Sequence, residues 1–354
     1  MKNLLIGIFI LMISASVLLA ADQTQTHDRN DPAITWNTRE STVVHPGENT
    51  SIDAWEAYKS YNWTPSVDQH LDDPVLRGAI DTHAHFGPDS YARQWDAFEI
   101  ARLARERGMR GIVLKNHWSE SAGLAYLARK YAAPGLEVFG GLALNAPEGG
   151  INPQAVRYFA EVEGNYGKVV WMPTHDAEHE VKYNHQSRPF VRVSRGGVLV
   201  PEVFEVLDLV KQYDLTLATG HVAPEEMLMI VNEAQKRGIH RIIITHPDLG
   251  PMYTDASVDQ LGQAIAMGSY VELVSTQLLR ETRDKMISMI RDLGPEHFII
   301  SSDSGLTGTP NHADALVMAA RVLRQSGFSE NELNLMFKEN PARVLGLTAQ
   351  SGSQ

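Results

Sequence analysis

The chain has 354 residues, no cysteine and a formal net charge of -12, with 43% hydrophobic and 21% charged residues. That balance is globular, and the acidic surplus with no Lys/Arg-rich run argues against a nucleic-acid partner. Without cysteine there is no disulfide and no lipoprotein anchor, so the fold must hold by its core or by metal.

The first twenty residues, "MKNLLIGIFILMISASVLLA", place one lysine before an unbroken apolar run that ends in small residues. This is the layout of a secretory signal peptide over 1–21, cleaved near Ala20 or Ala21, and it points to an exported, periplasmic protein. An uncleaved membrane anchor is the alternative. After cleavage no membrane contact is expected. Residues 22–75 are polar and aperiodic, with "TQTHDRNDP" and "VHPGENTS", and read as an exposed arm. "AWEAYKSYNW" offers aromatics with which part of that arm could pack.

From Arg77 the pattern changes. Short apolar runs bounded by turn residues alternate with amphipathic stretches of ten to sixteen residues. The runs are "GAID", "GIVL", "VFGGLAL", "KVVWM", "LTLAT", "RIIIT", "YVELVS" and "FIISS". The first five stretches between them are "YARQWDAFEIARLARER", "SAGLAYLARKY", "PQAVRYFAEVE", "PEVFEVLDLVKQY" and "PEEMLMIVNEAQKR". "ASVDQLGQAIAM", "LLRETRDKMISMIRDL" and "HADALVMAARVLRQ" complete the set, and several begin with proline or a capping residue. Runs rich in Val, Ile and Leu without clean alternation suit parallel strands buried on both faces. Eight strand–helix pairs predict an α/β fold, a (β/α)8 TIM barrel over 76–347 with a short tail at 348–354. A doubly wound open sheet is the rival, weakened by the lack of a glycine-rich nucleotide turn after the first strand.

A barrel puts its chemistry where strands end and loops begin. The first run ends in His83 and His85, two residues apart and so on one face of a strand. The second ends in Lys115, followed by Asn116 and His117; the fourth is followed by Thr174 and His175. The fifth, sixth and eighth lead to His221, His246 and Asp303. One histidine near a strand end is ordinarily a hydrogen-bonded structural residue. Their coincidence with a carboxylate at the ends of separate strands points instead to one or two divalent metal ions. Zinc leads, and manganese, iron or nickel fit the same donors.

This arrangement resembles the amidohydrolase superfamily of metal-dependent hydrolases, over roughly Arg77 to Leu347. The resemblance is carried by "DTHAH", His221, His246, Asp303 and the tail "ENPARVLGL", read as an Asn-Pro-Ala turn before the last helix. It implies that Asp303 binds metal and accepts the proton of the attacking water, with His221 or His246 polarising the scissile group. The pattern departs on the fourth strand, where binuclear members carry a bridging lysine carbamate or glutamate and "KVVWMPTH" offers neither. Lys115 is the one comparable lysine: it could form the carbamate, grip a substrate anion or be structural.

The long segment from Thr174 to Val200 reads as a lid that brings His175 and Arg188 to the substrate, with His117 nearby; His179 and His185 read as surface residues. "HFGPDS" and "LKNHW" also resemble an uncharacterised branch of the superfamily, which brings no substrate with it.

The leading expectation is therefore hydrolysis of an amide, lactone or other ester of a small molecule. The alternatives are a one-metal decarboxylase or lyase, a phosphoesterase, and a non-enzymatic periplasmic binding protein. The phosphoesterase ranks lower because Ser304 and Gly305, not x-His, follow Asp303. A homo-oligomer is compatible with any of these.

Overall fold

The computed structural model describes residues 42–44, 69–90, 92–247 and 254–348. The signal peptide at 1–21, most of the 22–75 arm with its aromatic stretch, and nearly all of the 348–354 tail lie outside the described residues.

The eight apolar runs form eight strands: β1 (Ile80–His85), β2 (Gly111–Lys115), β3 (Glu137–Ala143), β4 (Gly167–Trp171), β5 (Thr216–Ala218), β6 (Ile242–Ile244), β7 (Tyr270–Val274) and β8 (Phe298–Ser301). They lie in one sheet in sequence order, every neighbouring pair parallel. The two edges meet just past the strand ends. Asp303 N donates to His83 O at 3.0 Å, and His85 N donates to Ser304 O at 3.0 Å. The sheet thus curls into a nearly closed (β/α)8 barrel.

The helices, most of them covering the outside, are α1 (Ala97–Glu106), α2 (Ala122–Leu127), α3 (Pro153–Glu161), α4 (Glu178–Tyr183, at the mouth), α5 (Pro201–Gln212), α6 (Pro224–Lys236), α7 (Val258–Ala266), α8 (Ser275–Leu279), α9 (Arg283–Leu293), α10 (His312–Gln325), α11 (Glu330–Asn334) and α12 (Asn340–Val344, at the opposite end). Their starts follow capping chemistry. Asp96 and Glu99 form a reciprocal box at α1, and proline opens α3, α5 and α6, where a missing N–H costs nothing.

Alternation sorts the strand side chains. Ile112, Leu114, Val170, Leu217, Leu273 and Ile300 face the helices in the large core. Val113, Phe139, Val169, Trp171, Ile243 and Ile299 fill the interior, with Val344 and Leu345 from the last helical turn among the described residues. Burying two such aliphatic side chains contributes about 1.5–3 kcal/mol each. That turn is anchored by Thr216 Oγ1 to Val344 O at 2.7 Å and Asn340 Nδ2 to Phe298 O at 2.8 Å.

Three local readings change. Asn340-Pro341-Ala342 lies within α12 rather than in a turn before a helix, because proline is well placed in a first turn. The 278–293 stretch is two helices, α8 and α9, divided where Arg280 is extended and Thr282 Oγ1 bonds Gln277 O. The 174–200 segment carries α4 and a two-stranded hairpin of Ser194–Arg195 and Val198–Leu199. Its Phe190–Val191 pairs antiparallel with Val43–Val44, so this described piece of the arm is tied to the barrel's top.

Candidate metal centre

The site begins with an irregularity in β1. Ile80 faces the interior and Ala84 the helix layer, although both are even-numbered. The strand register shifts between Asp81 and Ala84, which changes the parity and turns His83 and His85 inward. Asp81 clamps this bulge by accepting from His83 N at 3.1 Å and Ser302 N at 3.0 Å. Burial raises its pKa to about 6 despite these bonds. On β2 the alternation is regular, so Lys115 follows Val113 into the interior, fully buried.

Beyond β5, Gly220 has φ +64, and a Cβ there would meet Met172 O at 2.3 Å. Only glycine turns the chain this way so close to another backbone, and the turn presents His221. Past β8, Asp303 is itself left-handed, with φ 48, a strained conformation of the kind that collects at functional sites.

Six imidazoles close a ring around the barrel mouth. Successive centroids are 5.2 Å apart from His83 to His85, 4.7 Å to His117, 4.2 Å to His175, 5.6 Å to His221, 4.9 Å to His246 and 5.5 Å back to His83. Two carboxylates buttress it. Glu180 accepts from His175 Nδ1 at 2.7 Å and His221 Nδ1 at 2.5 Å. Burial alone would raise its pKa, but the two imidazoles outweigh burial and hold it at about 2. Glu272 accepts from His83 Nδ1 at 3.1 Å, Thr82 Oγ1 at 3.1 Å and Ser301 Oγ at 2.8 Å.

A neutral imidazole donating from Nδ1 carries its lone pair on Nε2. His83 and His221 therefore direct lone pairs inward, in the carboxylate–imidazole arrangement that orients metal-binding histidines. His221 Nε2 lies 3.3 Å from His246 Nε2. Two nitrogens bound to one tetrahedral ion at about 2.0–2.1 Å stand roughly 3.3–3.4 Å apart. His83 Nε2 faces Asp303 Oδ1 at 3.1 Å, an acceptor opposite an acceptor, and Lys115 Nζ lies 2.8 Å from that nitrogen. Burial and Lys115 push the His83 pKa down, yet Asp303 and Glu272 outweigh them and raise it. The ligand atoms of His83, His246 and Asp303 lie within 4.8 Å of one another, as do those of His175, Glu180 and His221. The donor set fits divalent metal.

Charge is distributed to match. Burial pushes His246 down to about 4, and His85, His117 and His221 also sit well below their usual value, burial being the largest cause for each. Burial would raise Asp303, but His83 and His85 outweigh it and keep the carboxylate ionised. Its side chain is 19% exposed against 0% for His83, so Asp303 opens onto the mouth where His83 does not. Beside His175 lies a cavity of about 480 Å3, lined by Ser90, Trp118, Ala146, Pro147, Asp176, Arg188 and Pro189. Trp118 stacks on His175 with centroids 6.1 Å apart.

A protein family described as of unknown function (DUF6282) matches residues 78–272. The chain belongs to that family. No curated protein matches it in sequence. Among solved structures it is similar to a phosphotriesterase homology protein from Escherichia coli complexed with phosphate in its active site. Identity is 19% and the TM-score 0.50, over 77% of this chain and 99% of that one. An amidohydrolase from Pseudomonas aeruginosa is similar at 12% identity and TM-score 0.51, over 77% and 96%. An organophosphorus hydrolase from Deinococcus radiodurans gives 15% and 0.50, over 81% and 100%. At these identities the likeness is one of fold, and that fold is the barrel of amidohydrolase and phosphotriesterase-like proteins.

In this family member the structure brings His83, His85, Lys115, His221, His246 and Asp303 to one end of the barrel, with His117 and His175 completing the ring. Arg188 lines the cavity, but its guanidinium bonds Asp176 Oδ1, His175 O and Gln186 Oε1. His185 is exposed and His179 lies against Tyr183 on α4.

Sequence reasoning missed three participants. Glu272 carried a signal, an acid at an inward position of an otherwise apolar run. Glu180, on a six-residue helix, and Arg93, 3.2 Å from His85 Nδ1, carried none. The fourth strand supplies Trp171 where a bridging ligand was sought, and the carboxylate comes from the helix after it. Gly141 makes room for that indole, since a Cβ there would meet the ring at 2.4 Å.

Proposed function

We propose that the protein is a metal-dependent hydrolase acting on an ester, lactone or amide of a small molecule. The observation that carries this is the pair of carboxylate-oriented imidazoles, His83 and His221, whose Nε2 lone pairs face the Asp303 carboxylate and His246 Nε2. His83, His221, His246 and Asp303 would hold the ion, with Lys115 beside them. When bound, a divalent cation, zinc foremost, supplies Lewis acidity and a nucleophile at neutral pH.

The chain's own groups divide the remaining work. Asp303, ionised and open to the mouth, accepts the proton of the attacking water. Burial keeps His246 neutral, so its Nε2, 3.3 Å from that of His221, can serve as a further donor to the ion. The cavity beside Trp118 receives the body of the substrate. Its walls favour an uncharged, apolar group, because Asp176 and Arg188 already satisfy each other there. The leader pattern supports export, which sequencing the N-terminus of the secreted protein would test.

Protein purified without chelator should carry one or two divalent ions per chain. It should hydrolyse members of a panel of lactones, aryl esters, amides and phosphotriesters, and lose activity on metal removal. A metal-loaded protein inert on the whole panel but releasing carbon dioxide from carboxylic acids would replace hydrolase by lyase.

A further inference from the structure

His83 and His85 look equivalent in sequence, yet their outer nitrogens meet groups of opposite character. His83 Nδ1 lies 3.1 Å from Glu272 Oε2, a carboxylate that only accepts, so its Nε2 holds the lone pair. His85 Nδ1 lies 3.2 Å from Arg93 Nη2, and a guanidinium only donates. The lone pair of His85 is therefore on Nδ1 and its ring proton on Nε2. That nitrogen lies 3.1 Å from Asp303 Oδ1, so His85 donates to the carboxylate.

The arrangement is held firmly. Arg93 Nε donates to Asp89 Oδ2 at 2.8 Å, with both side chains buried, and His312 Nε2 donates to the His85 carbonyl at 2.8 Å. A proton on Nε2 bars a metal from that nitrogen, and a cation already faces Nδ1. Resting on the metal reading above, we infer that His85 lies outside the ligand set: it is a hydrogen-bond donor orienting Asp303, and Arg93 is the positioning residue that sets its tautomer. The "HAH" pair then contributes one ligand, His83, and one orienting donor.

The test loads the full chain with cobalt(II) and counts bound ions and metal-bound imidazoles by X-ray absorption. Glutamine can place an amide N–H near the position of a histidine Nε2–H, so His85→Gln should keep the wild-type ion and imidazole counts. His83→Gln should lose an ion. His85→Ala, lacking the donor, should keep the stoichiometry but bind about 10–100-fold more weakly, as loss of an outer hydrogen-bond partner does. Arg93→Leu should raise the imidazole count by one, because His85 is then free to turn its lone pair inward. Loss of an ion or an imidazole in folded His85→Gln, matching His83→Gln, would overturn the inference while leaving the metal reading intact. A wild-type protein that takes up no cobalt overturns the metal reading and this inference with it.

Discussion

At Lys115 burial and charge pull in opposite directions. Burial lowers its pKa to about 8, although Asp303 and Glu272 raise it, so both the amine and the ammonium are accessible near neutrality. The amine can take up carbon dioxide as a bridging carbamate, whereas the ammonium grips an anion. Lys115→Ala separates the two roles. Metal content falling from two ions to one or none, with partial rescue by bicarbonate and a short carboxylic acid, marks the bridge. Unchanged metal with weaker substrate binding marks the anion site. Glu180 allows a second residue-level test. A carboxamide in its place could accept from only one of His175 and His221 while its amino group opposes the other, so Glu180→Gln should weaken metal binding about 10–100-fold. Competition with a coloured chelator measures this, and an unchanged affinity would remove Glu180 from the site. At this scale the sequence exposed the histidines and Asp303 because strand ends mark the barrel's mouth. It hid Glu180 and Arg93, whose roles depend on how loops fold back.

Among the elements, the strands were legible for a physical reason. A parallel strand buried on both faces is mainly apolar, and all eight runs are, Asp81 and Glu272 being the acids set within them. The bulge in β1 was not legible, because nothing in "AIDTHAH" tells which residue changes parity; only pairing with β2 and the Asp81 clamp decide it. The turn after β5 is the complementary case, a glycine whose need appears only when Met172 O is seen beside it. Gly220→Ala must carry left-handed strain of roughly 1–2 kcal/mol and overpacking of about 1–3 kcal/mol. The urea midpoint should fall accordingly at unchanged slope, and metal affinity should fall with it, because His221 leaves the turn. A variant as stable as the wild type and with full metal content would mean that the 172–173 backbone yields easily.

Over the whole molecule, the proposed ligands come from β1 and the segments after β5, β6 and β8, so one centre ties together the two sides of the barrel's seam. Among the described residues that seam is held by few backbone bonds, Asp303 N to His83 O and His85 N to Ser304 O, together with the buried Asp81–Ser302 clamp. An ion that binds only the folded chain adds stability by mass action, about 2.7 kcal/mol at a free concentration 100 times the dissociation constant. For a domain of this size that corresponds to roughly 5 °C in melting temperature. Chelation should therefore lower the melting point by several degrees, and hydrogen exchange should accelerate first at 80–85 and 298–304, where closure loses its cross-link. The bottom plug of Val344 and Leu345 lies at the other end and should keep its protection, since its packing owes nothing to the ion. Uniform deprotection over both ends, or a melting point indifferent to chelator and added metal alike, would show that the seam closes without metal.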